Sequence, residues 1–275
     1  MERKMFVFDI DGTLLNDDKK IVHETIGILK KAQSLGHVVC LATGRSPFQL
    51  NEIINEIGIE KYTINMNGGI INNLITKKFE ILATPLPLEV KKAYIAVAEK
   101  YGRELQWATA EESKRVWLGD VARKDITDND FFIGGTINPS YWDYKDVKNE
   151  LLTKDVIHMG YKAEKALIAI VKPILKELEE EYKVNISVTG QVYLDADANF
   201  VSKFNAIKIV QERENISNAN TYCFGDSDND ISMVSQAGHG IAMGNATENV
   251  KAVATHIIAD NNSTAIADFI KDQII

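Results

Sequence analysis

Asp9 and Asp11 lie near the start of the chain, one residue apart, where a run of apolar residues stops. A short apolar run is typical of a strand covered on both faces, as in a parallel sheet. In open α/β sheets, ligands bind beyond the carboxyl ends of such strands. Gly12 lets the chain turn steeply there and leaves room for a bound group. Taken alone, the pattern fits an ordinary turn equally well, since Asp and Gly are favoured in turns for local reasons.

Two later strand-like runs also end in polar clusters. Residues 38–42 lead into Thr43-Gly44-Arg45, and residues 221–224 lead into Gly225-Asp226-Ser227-Asp228-Asn229-Asp230. Because parallel strands have their carboxyl ends at one edge of a sheet, we expect Asp9, Asp11, Thr43 and Asp226 to converge. Three carboxylates would repel one another there, and a divalent cation relieves the repulsion. Hard oxygen ligands indicate Mg²⁺, whereas the five histidines show no zinc-like spacing.

The segments around these clusters alternate between strand and helix. Apolar spacing over 26–35 predicts a helix that Gly36 ends, and Ser46-Pro47 has the residue types of a helix start. Further strands are predicted at 38–42, 62–66 and 221–224, with a helix over 203–214. This βαβ alternation predicts an α/β fold with a parallel sheet and right-handed crossovers.

The alternation is interrupted between Asn67 and Tyr193. We interpret the interruption as an inserted domain of mixed α and β structure, residues 85–189, within a core formed by residues 1–84 and 190–275. Before the insert we predict a hairpin turn at Asn72-Asn73, and Pro85 and Pro87 mark a linker into it. The predicted features of the insert are a helix over 90–101, strands around Trp107 and Trp117, a strand at Phe131-Phe132-Ile133, and a helix over 163–182 that Pro173 breaks or kinks.

Composition narrows the possible partners and the location. The formal charge of −8 argues against nucleic acid, since no basic stripe is present to bind a polyanion. No apolar run is long enough to span a bilayer, and the first residues lack the apolar core of a signal peptide, so we expect a cytoplasmic protein with no membrane partner. Cys40 and Cys223 lie in apolar runs that we place on either side of the Asp9 strand, and we expect both to be reduced core residues.

The motifs together resemble the haloacid dehalogenase (HAD) superfamily of phosphatases. The matching segments are Asp9-Ile10-Asp11-Gly12-Thr13, Thr43-Gly44-Arg45, Lys203, and the cluster that runs from Gly225 to Asp230. Their order, with an insert between the second and third motifs, resembles the Cof-type subfamily with its class IIB cap. The resemblance implies a Rossmann-like core, an α/β cap, and a Mg²⁺-dependent phosphatase acting on small phosphorylated metabolites such as sugar phosphates.

The resemblance also implies a role for each site residue. Asp9 would attack phosphorus to give an aspartyl-phosphate, and Asp11 would act as general acid and then as general base. The implied Mg²⁺ ligands are the side chains of Asp9 and Asp226 and the backbone carbonyl of Asp11. Beyond the resemblance, we interpret Asp230 as a residue that orients Lys203 without contacting the substrate. The implied donors to the phosphoryl oxygens are Thr43, Lys203, Asn229 and the amides of Ile10 and Gly44.

Local alternatives exist for several of these residues. Lys203 follows Ser202 and is also compatible with an exposed residue in the first turn of a capped helix, and Arg45 is as compatible with a structural role as with a catalytic one. Around the lysine the family usually has two glycines, where this chain has Phe200 and Phe204. Two other functions use the same motifs, namely a phosphomutase on sugar phosphates and a phosphoryl-binding module without turnover. Intact Asp9 and Asp11 argue against the latter.

Overall fold

The computed structural model describes residues 2–109, 112–118, 144–189, 192–198 and 201–274. In chain order the strands are β1 (Met5–Phe8), β2 (Val38–Ala42), β3 (Tyr62–Asn65), β4 (Ile70–Asn73), β5 (Lys78–Ile81), β6 (Arg103–Ala108), β7 (Ser113–Leu118), β8 (His158–Lys162), β9 (Val184–Thr189), β10 (Tyr193–Ala198), β11 (Thr221–Gly225), β12 (His239–Ala242) and β13 (His256–Ile257). The helices are α1 (His23–Ser34), α2 (Asn51–Ile57), α3 (Leu88–Tyr101), α4 (Tyr144–Thr153), α5 (Lys165–Lys176), α6 (Leu178–Tyr182), α7 (Lys203–Glu214), α8 (Ile231–Gln236), α9 (Glu248–Val253) and α10 (Ala265–Ile274).

These elements form two compact units. The first unit comprises Met1–Pro47, Asn51–Leu82 and Ser202–Ile275, and the second unit comprises Phe48–Leu50 and Ala83–Val201. The predicted return to the first unit at residue 190 differs from the structure, because β10 pairs with β8 and β9 of the second unit. Alternation of strand and helix along the chain does not reveal which sheet a strand joins.

The first unit is built on one eight-stranded sheet of order β13-β12-β11-β1-β2-β3-β4-β5. Neighbouring strands from β13 to β3 are parallel, which confirms the predicted parallel sheet, and β4 and β5 extend it in antiparallel fashion. All four residues of β1 are completely buried. Because β1 lies between β11 and β2, its carboxyl end is flanked by the ends of both strands.

Two local predictions in this unit are corrected by the structure. Asn72 and Asn73 belong to β4, and the hairpin turn follows them, where the Asn73 side-chain oxygen accepts the backbone N–H groups of Ile75 (3.1 Å) and Thr76 (3.0 Å). The Ser46-Pro47 pair opens a 3₁₀ turn over Pro47–Gln49, and α2 begins only at Asn51. In both places the predicted residues do mark a turn, but the hairpin turn begins after Asn73 and the α-helix begins only after the 3₁₀ turn.

The two cysteines occupy the predicted strands. Cys40 on β2 and Cys223 on β11 both lie opposite Val7 of β1, so a whole strand separates them. Both are buried and unpaired with each other, which confirms the predicted reduced state. Burial raises the pKa of each thiol above its usual value, which keeps both protonated and unreactive at neutral pH.

The second unit has a five-stranded antiparallel sheet of order β7-β6-β8-β10-β9. Its apolar core includes Tyr94 of α3, Trp107 of β6 and Tyr161 of β8. The predicted helix over 90–101 and the strands around Trp107 and Trp117 are confirmed by α3, β6 and β7. The predicted strand at 131–133 lies outside the described residues. None of the helices in the described ranges combines the length and the apolar character needed to cross a membrane.

The segment with Pro173 remains helical through the proline. Helix α5 contains Pro173 and runs on to Lys176, and the helical path is interrupted at Glu177, where α6 follows. The predicted break is therefore present but lies four residues later. Proline removes the hydrogen bond to the preceding turn, and a helix that buries Ile168, Val171 and Leu175 on one face tolerates that loss.

A buried histidine of the second unit predicts a pH-dependent stability. His158 on β8 lies 2.8 Å, Nδ1 to Oδ1, from Asp197 and 3.8 Å, Nε2 to Oδ1, from Asp195. Burial lowers the pKa of His158, but the charges of Asp197 and Asp195 outweigh it and raise this pKa to about 9. Protonated His158 therefore stabilises the folded protein, and this stabilisation is complete below the unfolded-state pKa of about 6.5. It is lost as the pH rises through about 9, which lowers the free energy of unfolding by roughly 3 kcal/mol at most.

Urea unfolding followed by tryptophan fluorescence measures this effect, because Trp107 of β6 lies in the buried core of the second unit. We expect the free energy of unfolding to fall between pH 7 and pH 9.5 in the wild type. His158→Gln should flatten that slope, and the exposed His256→Gln should keep it. An unchanged slope in His158→Gln would assign the pH dependence to other groups.

Candidate active site

Asp9 directly follows β1 and is held by the sheet itself. Its backbone N–H donates to the carbonyl of Phe224 at 3.0 Å, which continues the pairing of β1 with β11. The residue is 5% exposed, and its Oδ1 accepts a hydrogen bond from Lys203 Nζ at 2.6 Å. Burial, and next the negative charge of Asp230, raise the pKa of Asp9 well above its usual value, and Lys203 offsets this only in part.

Lys203 is completely buried at the first residue of α7. Its ammonium group donates to Asp9 and, also at 2.6 Å, to Asp230 Oδ1. Ser202 caps this helix through the N–H of Asn205, as predicted, but the alternative of an exposed lysine is wrong. Phe204 is also buried, and Phe200 lies outside the described residues. The lysine thus reaches the carboxylates without the glycine that usually follows it.

Gly68 explains how the start of α7 comes so near to the edge of the sheet. Its φ of +105° lies in the left-handed region that favours glycine, and a Cβ there would lie 2.2 Å from the carbonyl oxygen of Ser202. Any side chain at this position would push the Ser202-Lys203 peptide away. The Asn67-Gly68 pair, read from sequence only as the end of a strand, therefore fixes the position of Lys203.

Asp226 follows β11 and is surrounded by hydroxyl donors. Thr13 Oγ1 donates to its Oδ1 at 2.8 Å, and Ser227 Oγ donates to its Oδ2 at 2.9 Å. A Cβ on Gly12, whose φ is +87°, would lie 2.6 Å from Asp226 Oδ2. Burial, and next the charge of Asp230, raise the pKa of Asp226 to about 7. The turn at Gly12 therefore brings residues 9–13 into contact with the cluster at residues 225–230.

Asp230 uses both of its oxygens inside the protein. Its Oδ2 accepts the backbone N–H groups of Asp226 (2.9 Å) and Ser227 (3.0 Å), and its Oδ1 accepts Lys203. One oxygen each of Asp9, Asp226 and Asp230 lie within 4.8 Å of one another. Three buried carboxylates balanced by one lysine leave an excess of negative charge that a divalent cation fits. Asp9, Asp226 and Asp230 thus form the acidic cluster that could hold such a cation.

Asp11 lies on the turn after β1, and its carboxylate is directed toward Arg45. Arg45 Nε donates to Oδ2 at 2.8 Å and Nη2 donates to Oδ1 at 2.7 Å. Burial raises the pKa of Asp11, but the Arg45 charge and hydrogen bonds outweigh burial, so the net pKa lies below its usual value. The sequence left the role of Arg45 open, and in the structure Arg45 is bound to Asp11.

The remaining predicted donors lie around the ends of β1 and β2. Thr43 is buried, and its backbone N–H donates to Ile64 at 2.9 Å, which continues the pairing of β2 with β3. Thr43 Oγ1 accepts the N–H of Arg45 at 3.2 Å. The Ile10 side chain is completely buried, so this residue has only its backbone to offer a ligand. Gly44 lies between Thr43 and Arg45 on the same loop.

Asn229 is hydrogen-bonded to Asn67, a residue that the sequence did not single out as part of the site. Its Nδ2 donates to Asn67 Oδ1 at 3.0 Å, and its own Oδ1 is buried without a hydrogen-bond partner in the described part of the chain. Asn67 has a left-handed backbone (φ +51°), and its N–H donates to the Thr43 carbonyl at 3.0 Å. Asn67 thus links the loops after β2, β3 and β11, and the Asn-Gly pair after a strand was the available signal.

The chain is similar to known proteins over almost its whole length. Residues 6–270 match the haloacid dehalogenase-like hydrolase family. The chain is 26% identical to the 5-amino-6-(5-phospho-D-ribitylamino)uracil phosphatase YitU of Bacillus subtilis (strain 168), over 99% of this chain and 98% of that protein. It is also 26% identical to the pyridoxal phosphate phosphatase YbhA of Escherichia coli (strain K12), over the full length of both.

A solved structure of similar shape is the HAD subclass IIB sugar phosphatase BT4131. It has a TM-score of 0.80 and 26% identity to this chain, covering 99% of this chain and 100% of that one. The family match spans both the first and the second unit, so it includes the inserted segment as well as the carboxylate cluster. The chain therefore belongs to the haloacid dehalogenase-like hydrolases of Cof type and is a phosphoric monoester hydrolase.

Proposed function

We propose that the protein is a Mg²⁺-dependent phosphatase that hydrolyses small phosphorylated metabolites, sugar phosphates or similar, through an aspartyl-phosphate on Asp9. The observation that carries this proposal is the position of Asp9 at the end of the central strand, with one oxygen bound to a buried lysine and two more carboxylates close by. A turn that served only to reverse the chain would not gather three buried carboxylates around one ammonium group.

The proposed cation ligands are the side chains of Asp9 and Asp226 and the backbone carbonyl of Asp11. The raised pKa values of Asp9 and Asp226 support a cation between them, since a positive charge there would favour both ionised carboxylates. The bound Mg²⁺ would supply charge that offsets the repulsion between a carboxylate and a phosphate. Asp230 would have a supporting role, because it holds Lys203 and the backbone N–H groups of Asp226 and Ser227 in place.

The chemistry of this chain's own residues follows from their positions. An Asp9 oxygen forms a bond to phosphorus while the bond from phosphorus to the leaving oxygen breaks, and Asp11 gives a proton to that oxygen. Because Arg45 lowers the pKa of Asp11 in the free protein, Asp11 would take up this proton when the negative charge of the bound phosphate raises its pKa. Asp11 then takes a proton from the water that cleaves the aspartyl-phosphate. Lys203, Thr43, Asn229 and the amides of Ile10 and Gly44 would donate to the phosphoryl oxygens, where negative charge is concentrated.

The substrate class is proposed from the relatives and from the second unit. YitU, YbhA and BT4131 are named for a ribitylaminouracil phosphate, pyridoxal phosphate and a sugar phosphate, which are all small. We propose that the second unit acts as a cap that limits substrates to this size. Comparing kcat/KM for a panel of small phosphorylated metabolites with that for a phosphopeptide tests the class. A phosphopeptide that equals the best small phosphate would contradict it.

Metal dependence is tested by both activity and stability. Excess chelator should stop hydrolysis and added Mg²⁺ should restore it. Scanning calorimetry should show that Mg²⁺ at 100 times its Kd stabilises the protein by about 2.7 kcal/mol. Asp226→Asn should lose most of that stabilisation, whereas Asp228→Asn should keep it, because Asp228 accepts hydrogen bonds from Thr247 and Asn249 instead. Full activity in chelator would remove the metal from the proposal.

A further inference from the structure

Arg45 holds Asp11 by a two-point contact. Nε and Nη2 donate to the two carboxylate oxygens at 2.8 and 2.7 Å, which is the fork geometry in which a guanidinium fixes both the position and the plane of a carboxylate. The Arg45 side chain is 12% exposed and that of Asp11 is 34% exposed. The partner with the greater freedom is therefore the aspartate.

Arg45 is itself anchored by the neighbouring strand end. Its carbonyl oxygen accepts the N–H of Met66 and the side-chain amide of Asn65, each at 3.2 Å, and its N–H donates to Thr43. Met66 has a left-handed backbone (φ +50°), which the surrounding hydrogen bonds maintain. The position of the Asp11 carboxylate is thus set from the loops after β2 and β3, and only in part by its own turn.

We infer that Arg45 is a positioning residue, which aims the Asp11 carboxyl group at the leaving oxygen of the substrate. This inference rests on the acid role proposed above for Asp11. Lys19 is a second cation near Asp11, since its Nζ lies 4.0 Å from Asp11 Oδ1 on an exposed side chain. Without the contact to Arg45, Lys19 could attract the Asp11 carboxylate into a different orientation. A lysine at position 45 would retain the charge but not the fork, so it would no longer fix the plane of the carboxylate.

The test compares leaving groups. An alkyl phosphate needs a proton on its leaving oxygen, whereas p-nitrophenyl phosphate releases a stable anion without one. For Arg45→Lys we expect kcat/KM, which reports formation of the aspartyl-phosphate, to fall about 10- to 100-fold for the alkyl phosphate and little for p-nitrophenyl phosphate. Arg45→Gln should show the same ratio. The inhibition constant of inorganic phosphate should not change.

A matched control lies in the second unit. Arg103 makes the same fork to Glu164, with Nε and Nη2 donating at 2.9 and 2.8 Å. Arg103→Lys should leave the ratio of kcat/KM between the two substrates unchanged. An equal loss on both substrates in Arg45→Lys would show general distortion, and weaker inhibition by phosphate would show that Arg45 binds the phosphoryl group. Either result would overturn the positioning role.

The same assays separate this inference from the proposed function. Asp11→Asn should lower kcat/KM for the alkyl phosphate by itself, and Arg45→Lys added to it should cause no further loss. If Asp11→Asn keeps full activity on the alkyl phosphate, the acid role of Asp11 is wrong. If Asp11→Asn is impaired and the two effects multiply, the acid role stands and Arg45 does not act through Asp11.

Discussion

Asp9→Asn should abolish turnover while leaving the fold intact. An amide has nearly the shape of the carboxylate but cannot attack phosphorus, so kcat should fall by about 10⁴-fold or more. The variant should fold because Asn can still accept the Lys203 hydrogen bond and because the substitution removes a charge that Asp230 and Asp226 repel. Steady-state hydrolysis of the best substrate, with circular dichroism for the fold, measures both effects.

Asp228→Asn is the matched control for the nucleophile. It makes the same chemical change in the cluster after β11, but Asp228 bonds Thr247 and Asn249 instead of Lys203. Its turnover should match that of the wild type. The nucleophile assignment would be wrong if Asp9→Asn kept substantial activity in a preparation shown by mass spectrometry to contain no deamidated Asp9.

Lys203→Met should cause the largest loss of stability in the site, together with loss of activity. Lys203 is completely buried between Asp9 and Asp230, so its removal leaves two buried carboxylates without their counter-ion. Breaking a buried pair of this kind costs about 3–5 kcal/mol. Urea unfolding in the presence of chelator, followed by circular dichroism, measures the change without a contribution from bound metal.

Two companion variants separate charge from packing. Asp230→Asn added to Lys203→Met removes one of the two uncompensated charges, so it should recover part of the stability without recovering activity. Lys61→Met removes a partly exposed lysine paired with Glu214 at 2.7 Å and should cost about 1 kcal/mol or less. If Lys203→Met were no more destabilising than Lys61→Met, the buried ion pairs would not hold the site together.

The sequence by itself located the polar clusters that form the candidate site. Each of β1, β2 and β11 is an apolar run that ends in a polar cluster, and these are local signals that need no knowledge of packing. Neighbouring parallel strands have their carboxyl ends at the same edge of the sheet, so the sequence predicted that Asp9, Thr43 and Asp226 lie close together. The separation of Cys40 from Cys223 followed from the same strand order.

Only the tertiary structure decided which side chains meet across that edge. The fork from Arg45 to Asp11 and the bond between Asn229 and Asn67 join residues 34 and 162 positions apart. No periodicity connects such distant positions, since each contact depends on how the loops between the strands pack. The same reason explains why the predicted return to the core at residue 190 came too early, and why the sequence left open whether Lys203 is exposed or buried. Strand pairing and burial are properties of the assembled sheet.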